Sequence, residues 1–498
     1  MAVDKFVAFD LGAESGRVVL GNLNGTQLTL EEKHRFANPN GKMNGKLQWN
    51  LLSQWTELKT GLKKVAESLD GDKLSGIGVD TWGVDFILLS EAGEILGNPI
   101  MYRDPRTDGV MERAFKRVPR EQMFAATGIQ FMQLNTIFQL LAMKEEKSQI
   151  LDVARTLLFM PDAFNYLFSG VAKAEVSIAS SSQMYDPRKK QWATEMLAKL
   201  EIPTRILPEI VPSGHVLGTL LPAIARECEM EPMPVIAPGC HDTASAVASV
   251  PAETADGWCY ISSGTWSLMG VELDEPILSD KALKYNYTNE IGVGGKVRFL
   301  KNIMGLWLVQ ECRRHFQKQG YDHGYAEITS MAGRAAPFGP VIDPNYAAFL
   351  KPGEMVDKID RFCADTGQRT PGSRGETVRT CLESLALAYR RTIEGLEDIL
   401  GKKISVIHIV GGGSQNELLN QMTADACGRI VVAGPIEATA IGNILTQAIA
   451  VGVVKTLADA RAIVRKSFEV KRYEPSDVKK WDGAYERYLK IVDRSAAL

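Results

Sequence analysis

Asp242 stands where a carboxylate can do chemistry. In Gly239-Cys240-His241-Asp242-Thr243-Ala244-Ser245-Ala246, near the midpoint of the 498-residue chain, a Pro238-Gly239 turn ends the apolar run Pro234-Val235-Ile236-Ala237. A small-residue segment follows, so the pattern predicts a strand-to-helix corner with the Asp242 carboxylate exposed, a place from which a base can take a proton from a substrate. An Asp ahead of Thr-Ala-Ser-Ala is equally what a helix N-cap requires. The stretch alone leaves both readings standing.

Other chemistry-bearing residues gather at strand ends. Phe6-Val7-Ala8-Phe9-Asp10 reads as a buried strand ending in a carboxylate, Leu11 to Gly16 as a turn, and Arg17 to Leu23 as the returning strand. N–H groups in such a Gly-rich tip can cradle phosphate oxygens, and Asp10 can hold a hydrated Mg²⁺; most tips of this kind are only turns. The apolar run Leu74 to Leu89 breaks at Asp80-Thr81-Trp82-Gly83 and carries Asp85 just beyond, a set that suits a sugar, although a half-buried strand with a core Trp explains Trp82 as well. Tyr102-Arg103-Asp104-Pro105-Arg106-Thr107 reads as a polar loop before a charged helix.

The second half repeats the first in shape. Trp258 to Ser263, Gly264-Thr265 and Trp266 to Val271 form another strand, tip and strand. Ile404 to Val410 is a buried strand running into Gly411-Gly412-Gly413, where Ser414 and Glu417 have capping-box spacing. The triple glycine lets a base or phosphate approach backbone closely, yet it is neither a Walker loop nor a dinucleotide fingerprint. His408 reads as a strand histidine rather than a ligand.

The elements that must position these residues follow from periodicity and capping. Leu51 to Leu69 and Leu306 to Gln319 read as helices, and helical pieces fall between Phe124 and Ser182. Ser373-Arg374-Gly375-Glu376 is a capping box opening a long helix that Gly401 stops. Ala438 to Val454 is uncharged but short for a membrane span and broken by Thr439, Asn443, Thr446 and Gln447, so it reads as a buried helix.

Length predicts about two to four domains. Apolar residues at 45% and charged residues at 23% describe an ordinary globular protein, and a net charge of −3 without basic runs speaks against nucleic-acid or anionic-membrane partners. The first residues lack signal-peptide features, which predicts a cytoplasmic protein. Seven cysteines without a C-x-x-C pair argue against zinc or a secreted disulfide framework. Cys363 and Cys381 flank a polar loop, and a reducing compartment favours two free thiols there.

Taken together, Asp10 to Arg17, Asp80 to Asp85, Gly239 to Asp242, Gly264-Thr265 and Gly411 to Asn416 resemble the motif series of the FGGY carbohydrate kinases, within the actin/hexokinase-type ATPases. The stretches 79–86, 102–107, 241–246, 262–270, 300–308 and 408–413 are similar to members that phosphorylate the C1 hydroxyl of L-rhamnulose in L-rhamnose degradation. The resemblance runs from about residue 5 to about residue 470 and implies an α/β fold of two RNase-H-like lobes, 1–246 and 247–498, with ATP and sugar in a cleft that closes. By position it implies ATP contacts at Ala13, Glu14, Ser15, Gly16, Arg17, Thr265, Gln310 and Gly412. It implies sugar contacts at Gly83, His241, Asp242, Thr243 and Asn302, with Asp242 the proton acceptor and Mg²⁺ near Asp10. Glu14 departs from the small Ser expected in the phosphate loop. Rival readings are a kinase for another deoxyketohexose such as L-fuculose, and a non-catalytic actin-like ATPase or sugar sensor.

Overall fold

Residues 6–9 carry apolar side chains on both faces of a strand, which is stable only inside a sheet covered on both sides. The computed structural model, which describes residues 3–254 and 256–495, places it there. β1 (Asp4–Leu11) turns through residues 12–14 into β2 (Ser15–Asn24) and on into β3 (Gln27–Ala37). β1 lies antiparallel to β2 and parallel to β4 (Leu74–Thr81). With β5 (His215–Thr219) and β6 (Pro234–Ala237) the sheet has the order β5-β6-β4-β1-β2-β3. Helix α1 (Leu51–Ala66) buries Leu58, Leu62 and Val65. Helix α2 (Asp242–Ala248) follows β6 after the Pro238-Gly239 turn.

The predicted duplication is real at the level of topology. β7 (Trp258–Ser263) and β8 (Trp266–Leu273) form an antiparallel hairpin whose first strand is parallel to β9 (Val406–Val410). β10 (Ile430–Ala433) is parallel to β9, and β11 (Lys471–Tyr473) is antiparallel to β10. The order β8-β7-β9-β10-β11 therefore repeats β2-β1-β4-β6-β5 with every pairing sense preserved.

Helices of this second sheet are α3 (Trp307–Lys318), α4 (Arg374–Leu400) and α5 (Glu417–Cys427). At α4 Ser373 is the N-cap as expected, its Oγ accepting from Glu376 N at 3.2 Å, while the Glu376 carboxylate accepts from Gly372 N at 2.7 Å; Gly401, at φ 64°, ends the helix. The cap of α5 is not the expected one. Asn416 Oδ1 accepts from Leu419 N at 3.0 Å, whereas Ser414 Oγ donates to Gly411 O at 2.7 Å. The glycine run first makes a 3₁₀ turn, Gly412–Gln415, which delays the helix and hands the cap to Asn416.

The chain folds as two compact units, each assembled from three segments. One comprises Met1–Pro251, Glu272–Leu300 and Glu437–Phe468, the other Ala252–Val271, Lys301–Ile436 and Glu469–Leu498. The returning segment of the first unit carries helix α6 (Ala438–Ala450), the uncharged run expected to be a buried helix. Its Ala440, Ile441, Ile444, Leu445 and Ala448 pack with Phe6, Ala8, Val19 and Leu23 in one core. At Gly442 a Cβ would stand 1.7 Å from Ser245 O, so α6 crosses α2 backbone against backbone. All seven cysteines are buried free thiols, Cys363 and Cys381 included. Among the described residues no helix is long and apolar enough to cross a membrane.

Candidate active site

In the first unit, the strand ends converge on Asp242. Thr81 N donates to Cys240 O at 3.0 Å, Trp82 N donates to Leu11 O at 3.1 Å, and Asp10 and Asp80 are register partners on β1 and β4. The β1–β2 tip, the end of β4 and the corner before α2 are thereby brought together. Helix α2 is capped by the backbone of His241 with no side-chain cap bond, so Asp242 is the first helical residue rather than the N-cap. Its carboxylate is half-buried rather than exposed as the pattern predicts; it accepts from Thr243, through the backbone N and, at 3.0 Å, the hydroxyl, and Oδ1 lies 3.5 Å from His241 Nε2. Burial pushes the Asp242 carboxyl up from the usual carboxylate range; His241 opposes this, and Asp10 adds to it.

Arg17 ties the tip to the rest of the unit. Its Nη2 donates to Asp10 Oδ2 at 2.5 Å, and Nη1 pairs with Glu437 at the head of α6. Gly12 N donates to Ser15 O at 2.9 Å, and Asn38 grips both sides of the tip, with N to Glu14 O at 2.9 Å and Nδ2 to Gly12 O at 2.8 Å. The turn at residues 12–14 and the start of β2 thus have a fixed shape beside two buried carboxylates, Asp10 and Asp80. Burial and Asp10 push the Asp80 carboxyl well above the usual range, against a hydrogen bond of 2.6 Å from Asn443 Nδ2.

Asp85, expected with Asp80 as part of a sugar-binding set, has another task. It is fully buried and accepts the indole N–H of Trp49 at 2.7 Å and of Trp82 at 2.9 Å on one oxygen. Burial pushes its carboxyl up to about 6, and these donors hold it back. Trp82 is buried, its ring centroid 4.4 Å from that of Trp49, as the core-Trp reading has it. Between Gly83 and Asp85 the chain passes through Val84 at φ 69°, a strained conformation for a β-branched residue, where Thr136 Oγ1 holds Val84 O at 2.7 Å. A Cβ on Gly83 would lie 3.2 Å from His241 Nε2 and 3.5 Å from Ser181 Oγ.

The second unit gathers its own expected residues. Leu306 N donates to Gly264 O and Trp307 N to Thr265 O, each at 3.1 Å, so the start of α3 is docked on the β7–β8 tip. Gln310 lies on that helix with a buried Oε1 that has no hydrogen-bond partner among the described residues. The triple-glycine turn packs against the end of β7: a Cβ on Gly413 would stand 2.1 Å from Ser263 Oγ, whereas Gly412 faces open space. Thr265, Gln310 and Gly412 therefore belong to elements that meet at one end of the sheet. Asn302 lies on the strand Val297–Met304, which runs into the Gly305 turn against Thr265. His408 is a buried strand residue on β9, edge-on to Trp258.

Residues 5–249 match the N-terminal domain, and residues 259–451 the C-terminal domain, of the FGGY family of carbohydrate kinases. The chain belongs to that family. It is 41% identical to a rhamnulokinase of Bacteroides thetaiotaomicron over 98% of this chain and 99% of that one. It is also 41% identical to a rhamnulokinase of Pectobacterium carotovorum, over 100% and 98%. Among solved structures, a ligand-bound xylulose kinase from Lactobacillus acidophilus superposes with a TM-score of 0.81 at 15% identity, covering 99% of both chains. A glycerol kinase from Plasmodium falciparum with ADP gives 0.77, at 15% identity over 99% and 98%. These two likenesses establish the two-domain α/β fold.

Several residues of this FGGY chain's site escape a reading of the sequence. Glu437 left a trace, a lone carboxylate heading an uncharged run, and it holds Arg17. Asn443 and Gln447, which interrupt that run, turn out to serve the sheet: Asn443 reaches Asp80, and Gln447 Nε2 donates to Val7 O at 2.9 Å. Glu175, fully buried, accepts from Cys240 N at 3.2 Å, and Ser177 Oγ accepts from His241 N at 3.1 Å, which moors the corner before α2. Glu290 and Arg298, beside His241, carry no sequence signal at all.

Proposed function

We propose that the protein transfers the γ-phosphoryl group of ATP to the C1 hydroxyl of L-rhamnulose, giving L-rhamnulose 1-phosphate and ADP in L-rhamnose degradation. The observation that carries this reading is the match, over nearly the whole chain, to relatives named rhamnulokinase at 38–41% identity. Asp242 accepts the proton of the attacking hydroxyl as the new O–P bond forms and the bond to ADP breaks. A carboxylate whose proton affinity burial raises is a stronger base than an exposed one, which suits that task. Gly83, His241, Thr243 and Asn302 line the sugar, with the half 1–246 supplying most of its contacts. Ala13 to Arg17, Thr265, Gln310 and Gly412 receive ATP, the half 247–498 holding most of the nucleotide. Since phosphoryl transfer asks little covalent work of a protein, donors fixed in place and charge balance carry the rate.

Among the described residues no group of three or more His, Cys, Asp or Glu could hold a metal ion. A Mg²⁺ arriving on the phosphates of ATP brings its own waters and needs only one or two carboxylates. Asp10, with Asp80 beside it and one Asp80 oxygen without a partner among the described residues, fits that role through water. The ion would neutralise charge on the phosphates. The reading carries with it a cytoplasmic location, where ATP is supplied.

The test is ADP release with MgATP and a panel of L-rhamnulose, L-fuculose, L-xylulose and glycerol. The highest kcat/KM is expected for L-rhamnulose. A higher value for another acceptor, or ADP release indifferent to sugar, overturns the assignment.

A further inference from the structure

His241 is held from three sides. Its backbone N–H is taken by Ser177, its Nε2 lies 3.5 Å from Asp242 Oδ1, and its Nδ1 faces the antiparallel pair Thr288–Ile291 and Val297–Met304. On that pair Glu290 and Arg298 are directly opposed in register. Arg298 is fully buried; its Nη2 donates to Glu290 Oε2 at 3.1 Å and meets His241 Nδ1 at 3.2 Å, while Nε donates to Ile291 O at 3.2 Å. Glu290 Oε2 is itself 3.2 Å from His241 Nδ1. A buried ion pair adds little net stability, because desolvation offsets the attraction. The consequence of this one lies in its third contact.

A guanidinium has donors only. An imidazole nitrogen hydrogen-bonded to it must therefore offer its lone pair, and the ring proton then sits on the other nitrogen. Without Arg298, the Glu290 carboxylate would still face Nδ1 and would draw the proton to that side. The arginine and the carboxylate, each 3.2 Å from Nδ1, thus favour opposite tautomers.

We propose that Arg298, held by Glu290, is a positioning residue that fixes His241 as the Nε2–H tautomer and presents that N–H to the Asp242 carboxylate and to a sugar oxygen lying against Gly83. The inference rests on the reading of His241 and Asp242 as sugar-site residues, but its direct readout does not. The N–H donated to Asp242 orients the base, and a misaligned base costs on the order of 10²-fold in rate.

The experiment uses full-length protein labelled with ¹⁵N in its six histidines, the His241 signals being identified by their loss in His241→Gln. In the wild type, without ligands near neutral pH, His241 is expected as the Nε2–H tautomer. In Arg298→Met the proton is expected on Nδ1, with kcat down by roughly 10- to 100-fold and the KM for ATP unchanged; Arg298→Lys, which keeps a donor, retains the wild-type tautomer and recovers most of the rate. A wild-type His241 carrying its proton on Nδ1 overturns the proposal even if Arg298→Met does not fold. An Arg298→Met protein that loses activity with the Nε2–H tautomer intact overturns it too. Failure of L-rhamnulose in the substrate panel leaves the tautomer as readable as before, so the two readings fail separately.

Discussion

Asp242 accepts from Thr243 and lies beside His241 Nε2, its carboxylate in a partly buried corner. Asp242→Asn preserves shape but cannot accept a proton, so turnover should fall by about 10²–10⁴ with both substrates still bound, as measured by ADP release and by calorimetric titration. Near-normal kcat in that variant removes the base assignment. Burial raises the folded Asp242 carboxyl, so it takes up its proton at a higher pH than an exposed aspartate. The acid limb of kcat/KM should therefore have its midpoint above the ordinary aspartate value of about 3.9. At Gly83 the nearest atoms are His241 Nε2 and Ser181 Oγ, so the branched side chain of Gly83→Val fills the space beside His241. The KM for L-rhamnulose should rise roughly 10- to 200-fold while that for ATP holds; normal sugar kinetics would move the sugar away from Gly83.

At the scale of elements, the crossing of α2 and α6 sets where Asp242 sits. Gly442 permits it, since a Cβ there would collide with Ser245 O, a backbone atom that cannot step aside alone. Gly442→Ala should cost about 1–3 kcal/mol and lower kcat as well, because the helix that must shift begins at Asp242. Thermal unfolding and steady-state kinetics report the two effects separately. An alanine variant with unchanged Tm and kcat would mean that the crossing is slack. The same helix α6 explains why an apolar run carries Asn443 and Gln447: both are turned onto the strands, one holding Asp80 and the other the backbone of β1.

For the molecule as a whole, the first unit is not finished until residue 468. Phe6, Ala8, Val19 and Leu23 need α6 to cover them. A fragment of residues 1–251 should therefore show no cooperative thermal transition by circular dichroism, despite containing all six strands of its sheet. A sharp, reversible transition would show that the rest of the sheet closes its own core. The near-neutral composition and the burial of all seven cysteines fit a globular enzyme.

The sequence by itself determined the local and the periodic: the strand at Phe6 to Asp10, the two Gly-tipped hairpins, the long helix from its capping box to Gly401, and the corner at Asp242. These depend on neighbours a few residues apart, and the chain's own steric and hydrogen-bonding preferences settle them. The family motifs lie in those same segments, which is why the family was legible too. Only the tertiary structure decided what depends on distant neighbours. Asp85 became an anchor for two indoles because Trp49 arrives from elsewhere, and the cap of α5 passed to Asn416 because the glycine run first packs against Ser263. Arg17 found Glu437 across 420 residues, and Arg298 reached His241 across 57. Pairings at such separations leave no pattern in a single chain, because their partners are chosen by the packing of whole sheets and helices.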